Sequence, residues 1–489
     1  MRKSIWLLLS LLLISSLVLA ACGGGAPADA PADAPADAPA DAPASDGGDE
    51  PAMEKQVLKV WSFTNEIRTM AIAFEAANPG VEVDVDYTMI PMTDGEYQTK
   101  VKAAAGTADS PDVVALEAAF VKEWVESDLL ANLNDLLPLA EELKTYPAVI
   151  EVGTYNGVTK GFSYQATPGA FEYRRSIALE CLGTDDPVEV QAMVADIDKF
   201  LETAAKIKDC NPNYFMVGTS GAMFNPFLAN RSQPWIVDDT LVIDPMFVEY
   251  AKFAKLMRDN GYESQAEQWS EGWFAGMNDT LVAADGTPQK IFSYFLPTWG
   301  IPYVLIPNST SDNTDTGGDW AMIQGPLPYQ WGGTWVGVME SSPNADLAKE
   351  FVKFVALNEE NLTNWATGVY TNEYLKAIDP ETPDDQAQAP GDFVSSQVVV
   401  EKITSTFDGS ELYDWLGGQN NYEAFGNAAP NVNGALLTGS DDAIQRAFED
   451  ARDLYLAGDI TEAEMWQQWL DAVRSEFPDL TIPEPPVTE

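Results

Sequence analysis

The chain has 489 residues and carries 76 Asp and Glu against 27 Lys and Arg, a formal net charge of −49, with no histidine and three cysteines. Without histidine there is no Ser-His-Asp or Cys-His nucleophile system and no His-ligated zinc site. The acidic excess argues against nucleic acid, whose phosphates are held by Lys and Arg; it weighs against anionic solutes too, short of a local Arg, and it suits solubility in an external medium.

At the N-terminus, Arg2 and Lys3 precede an apolar run from Ile5 to Leu19, and Ala20 and Ala21 lead into Cys22. The run is shorter than the roughly 20 residues a membrane-spanning helix needs, so residues 1–21 read as an export signal rather than a permanent anchor. The stretch Leu19-Ala20-Ala21-Cys22 resembles a bacterial lipobox, which implies cleavage before Cys22, lipid on that residue and attachment to the membrane. From Ala26 to Pro43 an Ala-Pro-Ala-Asp unit repeats. Proline holds the chain extended and Asp keeps it solvated, so 22–55 is expected to be a disordered, semi-rigid spacer that gives a tethered protein reach. With Cys22 taken, Cys181 and Cys210 remain as an even pair, read as a disulfide within one lobe or as two buried thiols.

The remainder, from about Gln56, is long enough for a large core and two or more lobes. Val57 to Trp61 reads as a strand, and Ile67, Met70, Ala71, Phe74 and Ala77 follow as a helical stripe stopped by Asn78-Pro79-Gly80. Val81, Val83, Val85 and Tyr87 alternate with acids as a second strand. A helix around Tyr97 to Ala105, a turn at Asp109-Ser110-Pro111 and the strand Val113 to Leu116 complete another cycle. Strands alternating with helices predict an α/β fold with a largely parallel, helix-covered sheet. Lys160 to Tyr173 reads as extended, the first crossing between lobes. Beyond it helices dominate: Ile197, Phe200, Ala204 and Ile207 share one face, and Ile444, Ala447, Phe448, Ala451, Leu454 and Tyr455 another, with Ser440 or Asp441 as cap. Residues 481–489, rich in proline, read as a loose tail.

Several segments, in this order, resemble the extracellular solute-binding proteins of ABC importers, specifically the maltose-binding-protein-like carbohydrate class. They are Leu58 to Phe63, Phe74 to Val81, Ser110 to Val114, Asp319 to Met322 through Gly332 to Trp335, and Asn344 to Phe354. The resemblance implies a two-lobed, type II periplasmic-binding-protein-like fold with an interlobe cleft and hinge. The N-lobe would take 56–160 plus 319–342, and the C-lobe 161–318 plus 343–480. It further implies capture of a sugar or oligosaccharide outside the cytoplasm, delivery to permease subunits of an ABC importer, a monomeric state, no enzymatic activity and no cofactor.

A sugar offers apolar C–H faces and a rim of hydroxyls, which call for flat rings and for carboxylates or amides. Candidates at strand ends or beside glycine are Trp61, Glu66, Glu117, Tyr164, Trp273, Trp299, Trp331, Trp335 and Trp415, with at least three of the seven aromatics expected to face the cleft. Trp466 and Trp469 read as core. Rings with carboxylates also make a cation cage, so a polyamine or quaternary amine is the alternative solute. A secreted glycosidase, built on a carboxylate pair, is the remote one. Asp312 to Asp319 is acidic but lacks a calcium-ligand spacing, so no metal is expected.

Overall fold

The computed structural model describes residues 56–77, 83–384, 386, 392–406 and 411–487. The expected export signal, Cys22 and the 22–55 spacer lie outside them.

The strand Gln56–Ser62 buries alternate residues, Leu58, Val60 and Ser62. It forms the middle of a parallel trio, paired on one side with Val83–Met89 and on the other with Val113–Glu117. Val113–Glu117 is apolar at four successive positions, all buried, the pattern of a strand covered on both faces. Two antiparallel strands extend this five-stranded sheet: Thr334–Val338 pairs with Val113–Glu117, and Phe162–Ser163 pairs in turn with Thr334–Val338.

The chain leaves the first sheet after Ser163 and enters a second one at Gly169. There Gly169–Arg174 lies between Ser293–Pro297 and Trp320–Ile323, antiparallel to both. The largely parallel sheet therefore describes only the first three strands. The second sheet serves two cores, because successive side chains of a strand point to opposite faces: Phe171 and Tyr173 belong to one, Ala170, Leu296 and Met322 to the other. At the crossing, the Tyr329 ring lies over Gly169, where a Cβ would come within 1.8 Å of the ring.

The expected division of the chain needs correction at two places. Trp320–Ile323 belongs to the second sheet rather than the N-lobe, and the first sheet recovers the chain only at Thr334. Residues from 343 onward do not all pass to the C-lobe either. The helix Ala345–Leu357 packs on the first lobe, with Phe351 and Phe354 at 5.2 and 5.5 Å from Phe74 of the helix Glu66–Ala77. The stripe Ala348, Phe351, Val352 and Val355 is fully buried there; an apolar face of that width joins the nearest uncovered apolar surface. The segment around Trp415 to Gln419 already touches the second sheet, Gln419 Oε1 accepting from the Met322 N–H at 2.8 Å, and after Gly434–Leu436, packed on Pro147–Val152, the chain enters the core of the second lobe. There Asp441–Ala457 and Glu462–Glu476 contribute Phe448, Trp466 and Trp469 to a ring cluster around Phe247, at 4.2, 5.6 and 5.0 Å. Ser440 caps the first of these helices without a side-chain cap bond.

Cys181 and Cys210 form a disulfide between the helices Arg175–Leu182 and Ile197–Cys210, with Cα atoms 5.4 Å apart. The tail is not loose at its start: Thr481 donates its amide to Asp239 and accepts from Leu241 at 3.0 Å, and Ile482 packs on the second core.

Candidate functional site

The first strand runs out at Ser62, and the residues that follow, Phe63, Thr64, Asn65 and Glu66, line a cavity of about 680 Å³. Glu66 opens the helix Glu66–Ala77, where backbone N–H groups favour a carboxylate. Met89 ends the second strand and Glu117 the third, and both reach the same cavity. Ligands of α/β sheets sit in this place, beyond the carboxyl ends of the parallel strands.

The facing wall is aromatic. Trp269, Trp299 and Tyr303 come from the second lobe and Trp331 from the segment that returns to the first. Trp331 meets Trp299 at 5.3 Å and Trp269 at 6.0 Å, edge-on in both cases, while Trp269 and Trp299 are parallel within 3° at 6.4 Å. Trp299 Nε1 donates to the Trp331 carbonyl at 3.0 Å, fixing one ring to the backbone of the next. Gln165, Thr334, Trp365 and Gln386 also line the cavity. Gln386 is itself held by donation to the Asn65 carbonyl and to Thr69 Oγ1, both at 2.7 Å.

Among the described residues lining this cavity, the charged groups are Glu66 and Glu117, with no Lys or Arg. The Glu66 carboxyl accepts from the Tyr164 hydroxyl. Burial first, and then the nearby Asp392, push it up to about 7. Glu117 accepts from the Ala119 amide at 2.7 Å and is likewise pushed up to about 7, by burial foremost. A second cavity of about 290 Å³ adjoins the first through Glu117, Trp331 and Gly332, and is lined by Lys122, Arg231 and Asp441 among others. Lys122 donates to the carbonyls of Glu151 and Thr154, and Arg231 meets Asp441 at 3.4 Å. The arrangement can hold a solute between flat rings on one side and hydrogen-bonding carboxyl and amide groups on the other.

A sequence profile of bacterial extracellular solute-binding proteins matches residues 69–390, about two thirds of the chain. The chain belongs to that family. Solved structures agree on the fold. An extracellular solute-binding protein of family 1 superposes with a TM-score of 0.68 at 16% identity, covering 86% of this chain and 100% of its own. The ABC-transporter-associated binding protein of B. animalis subsp. lactis Bl-04, in complex with β-1,6-galactobiose, gives 0.61 at 20% identity over 88% and 100%. The sugar-binding protein MalE of Xanthomonas citri gives 0.62 at 14% identity over 87% and 97%. No curated protein matches the chain. Family and fold are those of binding proteins rather than enzymes, and the family's place is outside the cytoplasm. No helix among the described residues is long and apolar enough to cross a membrane.

Of the nine residues expected in the cleft of this solute-binding protein, four line it: Glu66, Glu117, Trp299 and Trp331. Tyr164 lies behind the wall, fully buried, where it bonds Glu66. The other four pack elsewhere. Trp61 is half-buried on the first strand, its carbonyl accepting from Tyr97 at 2.9 Å. Trp273 is buried beneath Trp269, and Trp335 is buried with Nε1 donating to Val149 at 2.9 Å. Trp415 stacks on Trp320 at 5.9 Å. Two of the seven aromatics, not three, therefore reach the cavity. The wall also contains Trp269, Tyr303, Trp365, Gln165, Gln386, Met89 and Met92, which the sequence reading did not single out. A signal existed for Met89, since the strand-end rule that selected Glu117 applies equally to the end of the second strand.

Proposed function

We propose that this solute-binding protein captures a neutral sugar or oligosaccharide in the cleft between its sheets and delivers it to the permease subunits of an ABC importer. The observation that carries the reading is the wall of Trp269, Trp299 and Trp331 facing Glu66 and Glu117. Indole faces suit the C–H faces of a sugar, and carboxyl and amide groups suit its hydroxyls. The sugar ligands and sugar-binding names of the similar structures support the same reading. So does the absence of Lys and Arg from the described lining of the larger cavity. We further propose that the protein is a monomer tethered through lipid on Cys22, with residues 22–55 as the spacer. Equal lipid-free masses for the parent and Cys22→Ala proteins would exclude the anchor.

Two half-buried carboxyls among rings also fit a polyamine or quaternary amine, the second reading. Tryptophan fluorescence and melting temperature, screened against mono- and oligosaccharides, polyamines and betaines, separate the two. A dose-dependent rise in melting point with a sugar is the expected result. Silence with every sugar and a response to a cation would overturn the carbohydrate reading and leave the fold untouched.

A further inference from the structure

Next to the cavity lies a carboxyl that does not meet solvent. Asp392 is 1% exposed. Its Oδ2 accepts from the indole Nε1 of Trp365 at 2.6 Å and from Nε2 of Gln165 at 3.4 Å, and its Oδ1 accepts from the Phe393 amide at 2.9 Å. Trp365 and Gln165 both line the cavity; Asp392 does not. The other end of the Gln165 amide is also engaged, its Oε1 accepting from the Thr334 backbone N–H at 3.2 Å.

These partners leave the Gln165 amide one orientation. A backbone N–H only donates, so it selects Oε1, and a carboxylate only accepts, so it selects Nε2. A flip would set N–H against N–H at one end and oxygen against oxygen at the other, losing two buried hydrogen bonds at roughly 1–3 kcal/mol for each stranded group. Trp365 has a single N–H, consumed by Asp392, so it can offer a solute only its ring.

We infer that Asp392 is a positioning residue for solute recognition: without touching the solute, it locks the Gln165 amide in one orientation and holds Trp365 as a purely apolar face. The inference rests on the proposed role of the cleft as a carbohydrate site. The Asp392→Asn change is nearly isosteric but cannot satisfy all three donors, since its amide group must face either Phe393 N–H or the pair from Trp365 and Gln165.

The test uses the full chain with selective ¹⁵N-Trp and ¹⁵N-Gln labels. The Trp365 indole is assigned by Trp365→Phe and the Gln165 amide by Gln165→Ala. Ser395→Ala, at a buried neighbour whose hydroxyl has no hydrogen-bond partner among the described residues, serves as the control for general loosening. Asp392→Asn should move the Trp365 indole and Gln165 amide resonances. It should weaken binding of the best sugar among β-1,6-galactobiose, maltotriose and their monosaccharides at least tenfold, while Ser395→Ala does neither. Unmoved resonances in Asp392→Asn overturn the inference, and so does moved resonance with unchanged affinity. An equal loss of affinity in Ser395→Ala would reduce Asp392 to a structural part and overturn it as well. A parent protein that binds none of the sugars fails the carbohydrate reading itself, and the resonances still decide whether Asp392 orients the two side chains.

Discussion

Glu66 and Glu117 give the cleft a pH signature whose size follows from the structure. Each carboxyl is pushed up from 4.5 to about 7 by burial foremost, with Asp392 adding to the rise at Glu66 and Asp442 at Glu117. A carboxyl with a raised folded-state value holds its proton more tightly folded than unfolded. Stability is therefore full below 4.5 and falls as pH rises from there to about 7. At about 1.4 kcal/mol per pH unit, each carboxyl is worth at most about 3–4 kcal/mol. Both side chains keep part of their surface in the cavity's water, which lowers that ceiling. For a folded unit of 437 residues, Met53 to Glu489, a transition entropy of about 2 cal/mol/K per residue converts each carboxyl to at most about 3–4 °C. The perturbation is the double variant Glu66→Gln/Glu117→Gln, in which a neutral amide replaces each protonated acid. Melting curves without solute should coincide with the parent's at pH 4.5 and lie above them at pH 7.5, by as much as about 6–8 °C. Other buried carboxyls with raised values, such as Glu172 and Asp441, are common to both proteins and drop out of the difference. Parallel pH profiles for parent and variant would refute the claim that burial in the cleft holds these protons.

Gly332 has φ 74°, and a Cβ there would lie 2.7 Å from Trp299 Nε1, so Gly332→Ala should cost about 1–3 kcal/mol and weaken solute binding by displacing the Trp299 ring; calorimetric titration and thermal melts report the two effects. Trp269→Ala should reduce solute affinity about tenfold or more with little change in melting point, since the ring is 49% exposed. Trp335→Ala should do the reverse, losing about 3–5 kcal/mol of stability from a fully packed site. The 29-residue separation of Cys181 and Cys210 makes their bridge worth about 3–4 kcal/mol in the chain-entropy account. The double Ser variant should thus melt about 4 °C lower with unchanged solute affinity, because neither residue lines the cleft.

The local elements of the first lobe were readable because each satisfies a short-range rule: short apolar runs in Gln56–Ser62 and Val113–Glu117, alternation with acids in Val83–Met89, a helical stripe in Glu66–Ala77. The lobe boundaries were not, because antiparallel pairing of Thr334–Val338 and Trp320–Ile323 with distant strands is decided by which sheet edge is uncovered. The same distinction sorts the tryptophans. Trp335 stands within a strand of a sheet covered on both faces, so either direction of its side chain leads into core. Trp269, Trp299 and Trp331 stand outside strands, one just before the helix Glu271–Met277, one just after Ser293–Pro297 and one in the crossing ahead of Thr334–Val338. Proximity to glycine does not separate the two groups, since Trp331 and Trp335 flank the same Gly332-Gly333 pair. What separates them is whether backbone hydrogen bonding has already committed the residue to a sheet face. In this fold the ends of the first and third strands supply the cleft with Glu66 and Glu117, loops supply Trp269, Trp299 and Trp331, and the helical segments Ile301–Leu305 and Glu359–Ala366 add Tyr303 and Trp365.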